Sequence, residues 1–164
     1  MTQDSDIEAF LDVGRQIMTA AGCASLVTID ESGLPSSRPV RTFPSDDALT
    51  KITIPTDSNS RKTVQARINP LILLGYVDLS SRGYVTVIGN AELNDRPEDK
   101  QAIWVDQFLA FWPDGPESES YLLIDVTPQR IEMRSYTQGV AEDPTRWTPV
   151  TLERTGTGVW TETG

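Results

Sequence analysis

The sequence predicts a mainly antiparallel β protein, a closed or split barrel with flanking helices. Three observations lead there. About six or seven short segments read as strands bounded by turn residues, most of them paired as hairpins. Two or three segments carry helical periodicity, but strands and helices do not alternate in the rhythm of parallel α/β folds. Full or partial closure then removes the exposed edges that so many short strands would otherwise leave. No GxGxxG fingerprint is present to argue for a doubly wound nucleotide fold.

The elements follow in chain order. Ile7, Phe10, Leu11, Ile17 and Met18 share one face of a 3.6-residue period, which predicts a helix from about Asp6 to Ala21. Ser5 and Glu8 are spaced as a capping box, and Gly22 is placed to end the helix in a left-handed conformation. Ala24 to Ile29 is short and apolar, and Leu34 to Phe43 should pair back on it across the turn Asp30-Glu31-Ser32-Gly33. After the turn at Pro44-Ser45-Asp46-Asp47, Leu49 to Ile54 reads as a third strand. The polar loop Thr56-Asp57-Ser58-Asn59 leads into a short helix, Ser60 to Arg67, which Asn69-Pro70 stops. Leu71 to Leu79 and Tyr84 to Leu93 form a second hairpin. Proline and acids in the first turn open a helix at Asp95-Arg96-Pro97-Glu98 that is expected to run to Trp112. Tyr121 to Val126 and Arg130 to Arg134 are further strands. From Thr137 the chain is rich in Thr, Gly and Pro, and reads as an extended arm or a final hairpin.

Composition narrows the function. The chain has 164 residues and a net charge of −10. Such a field repels phosphate polymers and anionic lipid, so neither nucleic acid nor membrane is an expected partner. There is no histidine, which removes Ser-His-Asp and Cys-His nucleophilic systems in their usual form and every histidine-ligated metal. Cys23 is the only cysteine, so no intrachain disulfide and no thiolate cluster can form, and no metal centre is expected. The apolar run Leu71-Ile72-Leu73-Leu74 stops at Gly75, far short of a bilayer span. The acidic N-terminus does not resemble a signal peptide, and the expected location is cytoplasmic.

Charge is unevenly placed. Arg38 to Arg67 contains six bases and three acids, a local +3 inside an acidic chain. That island suits a compact anion such as a phosphate. Ser60-Arg61-Lys62 stands where a loop becomes a helix, where backbone N–H groups and the helix dipole attract phosphate. The plain alternative is that Ser60 or Asn59 caps the helix while Arg61 and Lys62 face solvent. Arg38 lies beside Pro39 in an expected strand, which implies an edge or bulge, so Arg38 points into a cleft or sits on an outer face. Trp104, Phe108, Phe111 and Trp112 fall at helical spacing and read as a packing stripe. Trp112, next to the Pro113-Asp114-Gly115-Pro116 turn, is best placed to leave it and stack on a planar ring. No acid or base for catalysis can be assigned.

An ordered set of pieces then resembles a known family. They are Val27-Thr28-Ile29-Asp30, Gly33, Ser37-Arg38-Pro39-Val40, Thr56-Asp57, Ser60-Arg61-Lys62, Asn69-Pro70, the run from Gly83 to Leu93, Trp104, and Phe111 to Pro116. They are similar to the pyridoxamine 5′-phosphate oxidase-like flavoproteins, in particular the general-stress-protein branch of small FMN-binding split barrels. The resemblance covers about residues 5 to 136 and implies a split barrel over residues 1–136. The tail, residues 137–164, is unlike the usual ending of that branch, and its Trp147 and Trp160 make an arm packed on the barrel or a partner the expectation. It implies a homodimer with FMN at the subunit interface. Arg38 and Ser60-Arg61-Lys62 would hold the phosphate, Thr56 and Val40 would lie along the ribityl chain and ring edge, and Trp112 would reach the ring from the other subunit. Phe43 and Tyr84 stand where the true oxidases carry lysine and glutamine, so efficient vitamin B6 oxidation is not expected. The implied activity is FMN-dependent oxidoreduction of a small planar or carbonyl-type substrate. The alternatives are a flavin-binding stress or sensor protein without turnover, and a barrel that takes another cofactor such as a deazaflavin.

Overall fold

The computed structural model describes residues 3–141, 143–145, 148–154 and 158–163. It is an antiparallel sheet curled into a split half-barrel, with three α-helices among the described residues. Helix α1 spans Gln3–Ala21. It begins ahead of the expected start, so Ser5 falls within the helix and is not its N-cap. Its C-terminus matches expectation: Gly22 has φ +71° and its N–H bonds to the Met18 carbonyl. Strands β1 (Ala24–Ile29) and β2 (Pro35–Val40) form the first hairpin. At their turn, the Asp30 carboxylate accepts from the Ser32 and Leu34 N–H groups, and Gly33 has φ +82°.

The expected strand from Leu34 to Phe43 is in fact two. After β2 the chain leaves Arg41 and Thr42 unpaired and resumes as β3 (Phe43–Pro44) on a different neighbour. Strand β4 is Ile52–Asp57 rather than Leu49 to Ile54. Leu49 instead sits at φ +50° in the preceding turn, where the Asp46 carboxylate accepts from the Thr50 N–H. Helix α2 is Arg61–Ile68, β5 is Leu71–Asp78 and β6 is Gly83–Asn94.

The remaining strands are β7 (Tyr121–Ser135), β8 (Val150–Arg154) and β9 (Trp160–Glu162). The two strands expected between Tyr121 and Arg134 are one long strand, β7, paired with β6 along its length. A bulge divides it. Gly89 faces Pro128 and Ile88 faces Arg130, so Gln129 has no opposite residue. On its other edge, β7 pairs with β4 before the bulge and with β8 after it. The β8–β9 hairpin is thereby tied to the sheet, and buried Trp160 donates from Nε1 to the Ala48 carbonyl at 2.7 Å. Trp147, the other tail tryptophan, lies outside the described residues.

The sheet order is β2-β1-β5-β6-β7-β4-β3. Its two outermost strands, β2 and β3, are joined only by Arg41 and Thr42. Such a link spans at most about 10 Å, so the sheet must curl until its edges meet. The split of the barrel lies there. Tyr76, buried on β5, donates to the Thr42 hydroxyl at 3.0 Å and fixes the link from inside. Pro39 sits in the edge strand, where its missing N–H costs no ladder bond. The barrel interior is filled by Leu26, Ile54, Leu74, Val85, Val87, Ile124, Ile131 and Met133. Helix α1 covers it with Ile7, Leu11, Ile17 and Met18.

A second, aromatic core sits beside the split. The helix expected from Asp95 to Trp112 is broken: α3 is Pro97–Ile103, and a 3₁₀ turn follows at Asp106–Ala110. Trp104 and Val105 are extended between them. An unbroken helix would place four rings in one stripe. The break instead gathers Trp104, Phe108 and Trp112 around Tyr121, with centroid distances of 5.2, 6.3 and 4.7 Å. Phe111 is left 74% exposed.

Candidate functional site

The split opens into a cleft of about 740 Å³, within the usual range for small-molecule sites. One wall is the end of β2 and the link, Pro39, Val40 and Arg41. The floor is the end of β4, Pro55, Thr56 and Asp57, with Lys62 from α2. The opposite wall is Gln107, Phe108, Ala110, Phe111 and Trp112. Four of the seven residues named from sequence therefore meet in one place: Val40, Thr56, Lys62 and Trp112. Trp112 reaches it within a single chain.

Local chemistry fixes the floor. Strand β4 ends at Asp57, whose backbone carbonyl accepts from the Ser60 N–H at 3.1 Å and the Thr63 hydroxyl at 2.8 Å. Ser60 is the N-cap of α2, its hydroxyl accepting from the Thr63 N–H at 3.4 Å. The hydroxyls of Thr56, Ser60 and Thr63 form a closed triangle of 3.1, 2.9 and 3.3 Å. Ser60 thus does what the plain alternative assigned it. Lys62 does not, because it lines the cleft rather than open solvent. Arg61 departs from the expected group: it lines a separate groove of about 470 Å³ with Asp30, Glu31 and Ser32.

Arg38 sits behind Lys62. Its guanidinium donates to the Thr28 hydroxyl at 2.5 Å and to Gln65 Oε1 at 3.0 Å. Thr28 is fully buried and Gln65 nearly so. Burial, and then the charge of Arg61, hold Arg38 below its ordinary pKa. Lys62 is lowered by burial first and by Arg38 second, against a smaller opposing effect of Asp57. None of Arg38, Arg41, Arg61 and Lys62 takes part in the ion pairs of the described residues. Arg38 and Lys62 repel each other and take part in no ion pair among the described residues, so this end of the cleft is electropositive, with Asp57 opposing in part.

The aromatic wall is neutral. Burial pushes the Tyr121 phenol up to about 12, so it stays protonated beside Trp112. The Trp112 indole N–H is buried and has no acceptor among the described residues, which costs about 1–3 kcal/mol.

Sequence reasoning missed Arg41, Gln107 and the support of Arg38 by Thr28 and Gln65. Arg41 had a signal, since it belongs to the basic island. Gln107 had none, because a lone glutamine in an expected helix reads as surface.

The comparisons extend the picture. Residues 10–135 match the family model described as pyridoxamine 5′-phosphate oxidase. General stress protein 26 of Bacillus subtilis is 34% identical over 133 residues, covering 79% of this chain and 85% of that protein. A solved Clostridium acetobutylicum protein, described as related to general stress protein 26 and of the pyridoxinephosphate oxidase family, superimposes with a TM-score of 0.73. It is 18% identical, covering 89% of this chain and 95% of its own. A pyridoxamine 5′-phosphate oxidase-related, FMN-binding protein of Nostoc punctiforme gives a TM-score of 0.67 at 17% identity, covering 94% of this chain and 92% of its own. The two structures show the same split-barrel fold. With the family model spanning most of the barrel and the Bacillus relative aligned over most of both chains, this chain belongs to the pyridoxamine 5′-phosphate oxidase family.

Proposed function

We propose that the protein binds FMN in the cleft at the barrel split and serves as an FMN-dependent oxidoreductase for a small planar or carbonyl-type substrate. The observation that carries this reading is the pairing of a base-rich end, Lys62 with Arg38 behind it and neither in an ion pair among the described residues, with an aromatic wall in one cleft. A phosphate and a flat ring joined by a polyol chain are what such a cleft would hold. The Nostoc neighbour, described as FMN-binding, supports the choice of flavin over a deazaflavin.

In this reading Lys62 and Arg38 grip the phosphate through charge-assisted bonds, Arg38 being pre-aimed by Thr28 and Gln65. Arg61 adds its field from the neighbouring groove. Ser60 and Thr56 present hydroxyls to the phosphate and ribityl chain, Val40 lies at the ring edge, and Trp112 lies against the ring. The flavin, when bound, supplies the electron-transfer chemistry. The chain orients it with the aromatic wall of Phe108, Phe111 and Trp112. Residues 1–136 form the flavin-binding unit and residues 137–164 an arm carried on β7.

A second reading, a flavin-binding stress protein without turnover, draws on the similarity to General stress protein 26. Anaerobic addition of NADH or NADPH to the FMN-loaded protein separates the two. Bleaching of the flavin bands and their return with an added acceptor are expected; a spectrum that stays unchanged would favour the second reading.

A homodimer and a cytoplasmic location belong to the same proposal. Phe111, Val77 and Leu79 are 74%, 62% and 86% exposed, apolar side chains that a second copy would cover. Light scattering at micromolar concentration should give about twice the 18.1 kDa chain mass. A value equal to the chain mass would exclude the dimer. Among the described residues, no helix is long and apolar enough to cross a membrane.

A further inference from the structure

The cleft holds two separate positive centres, and one flavin phosphate accounts for only one of them. The first is Lys62 with Arg38 behind it, whose charge acts on it. The second is Arg41, which lines another part of the cleft from the link between β2 and β3, whereas Lys62 enters from α2. Arg41 is exposed yet held. Its guanidinium lies 5.1 Å from the Phe43 ring centre and 5.9 Å from that of Phe108, and it donates to Gln107 Oε1 at 3.1 Å. A surface arginine ordinarily loses side-chain freedom when it binds an anion. Here two rings and an amide have already restricted it, and among the described residues it forms no ion pair with a carboxylate. Beside it in the same cleft stands Phe111, an exposed apolar ring.

We propose that Arg41, positioned by Gln107, Phe43 and Phe108, is the recognition point for the carboxylate of the second ligand, a small planar organic acid that lies along Phe111. The proposal rests on the flavin reading, since it assigns Lys62 and Arg38 to the phosphate of FMN. A guanidinium forms paired hydrogen bonds with a carboxylate, which fixes the orientation of a flat acid as well as its charge. Carboxylates are thereby selected over neutral molecules of the same shape.

The test uses the full chain loaded with FMN, with benzoate and benzamide as an acid and its neutral counterpart, followed through the visible flavin spectrum. Wild type should show a saturable benzoate-induced change, with benzamide weaker by about tenfold or more, as a charge-assisted bond at an exposed site delivers. Arg41→Gln should abolish that preference while FMN affinity stays within about twofold, a difference below 0.5 kcal/mol. Arg41→Lys should keep part of the preference, because the charge remains and the fork is lost. Equal binding of the two probes to wild type, or no benzoate-induced change at all, would overturn the proposal. So would loss of FMN affinity in Arg41→Gln, which would place Arg41 on the flavin itself. FMN titration of wild type is done first, and failure there would overturn the flavin reading and this proposal with it.

Discussion

Replacing Gly89 by alanine is expected to destabilise the fold by about 2–3 kcal/mol, in the range of overpacking a filled site. A Cβ there would stand 2.5 Å from the Thr127 carbonyl oxygen and 3.0 Å from Pro128 Cα. Both are backbone atoms of the bulge and cannot swing aside. The cost follows from the topology, because β7 must change its partner from β4 to β8 at this point, and its bend presses it against β6. Gly75, also inside a strand, is the control. Its added Cβ would meet nothing closer than 3.8 Å, so Gly75→Ala should be nearly neutral. Urea unfolding of the two variants would decide: a wide gap in midpoint is expected, and equal midpoints would show that the bulge yields.

FMN should bind about a hundredfold more tightly than riboflavin, since two charge-assisted bonds to the phosphate contribute roughly 1.5–3 kcal/mol each and a partly open site delivers less than the sum. The two ligands share ring and ribityl chain, so the difference isolates the phosphate. Lys62→Ala should remove about tenfold or more of FMN affinity, one tenfold being about 1.4 kcal/mol, and leave riboflavin unchanged. Arg38→Ala should cost FMN binding too, but it also strips a donor from Gln65 and Thr28, so part of its effect will appear as lost stability. Lys51, which faces Asp125 at 3.7 Å, and Arg67, in the last turn of α2, are the controls expected to change little. Fluorescence titration of both ligands against these variants checks the assignment. Equal affinities for FMN and riboflavin would remove the phosphate from the floor of the cleft.

Much of this was legible in the sequence because it depended on local chemistry. Gly22, Gly33 and Asn69-Pro70 end or turn their elements by their own conformational preferences. Pro39 marked an edge strand, and the basic island held the bases of the cleft. What was not legible depended on long-range packing. The helix expected to reach Trp112 stops at Ile103, where the extended Trp104 packs on Tyr121, a contact across 17 positions in sequence. Leu49 reads as strand by composition, yet the Asp46 carboxylate takes the Thr50 N–H and turns the backbone there. The two halves of β7 looked separate because Pro128 punctuates them, while the bulge absorbs that proline without ending the strand. At the site, Lys62 and Arg61 were indistinguishable as neighbours in sequence. Only the direction of α2 across the end of the barrel sends one into the cleft and the other to the next groove.

The central claim, that the cleft at the barrel split is a flavin site, is tested most directly by saturating the purified chain with FMN, removing free ligand by gel filtration and measuring the flavin absorbance that stays with the protein. About one FMN per chain is expected for wild type, with an affinity in the nanomolar range so that it stays through the column, and with quenching of tryptophan fluorescence that diminishes in Trp112→Phe. Flavin that elutes entirely free of the protein, with tryptophan emission unchanged, would contradict the account.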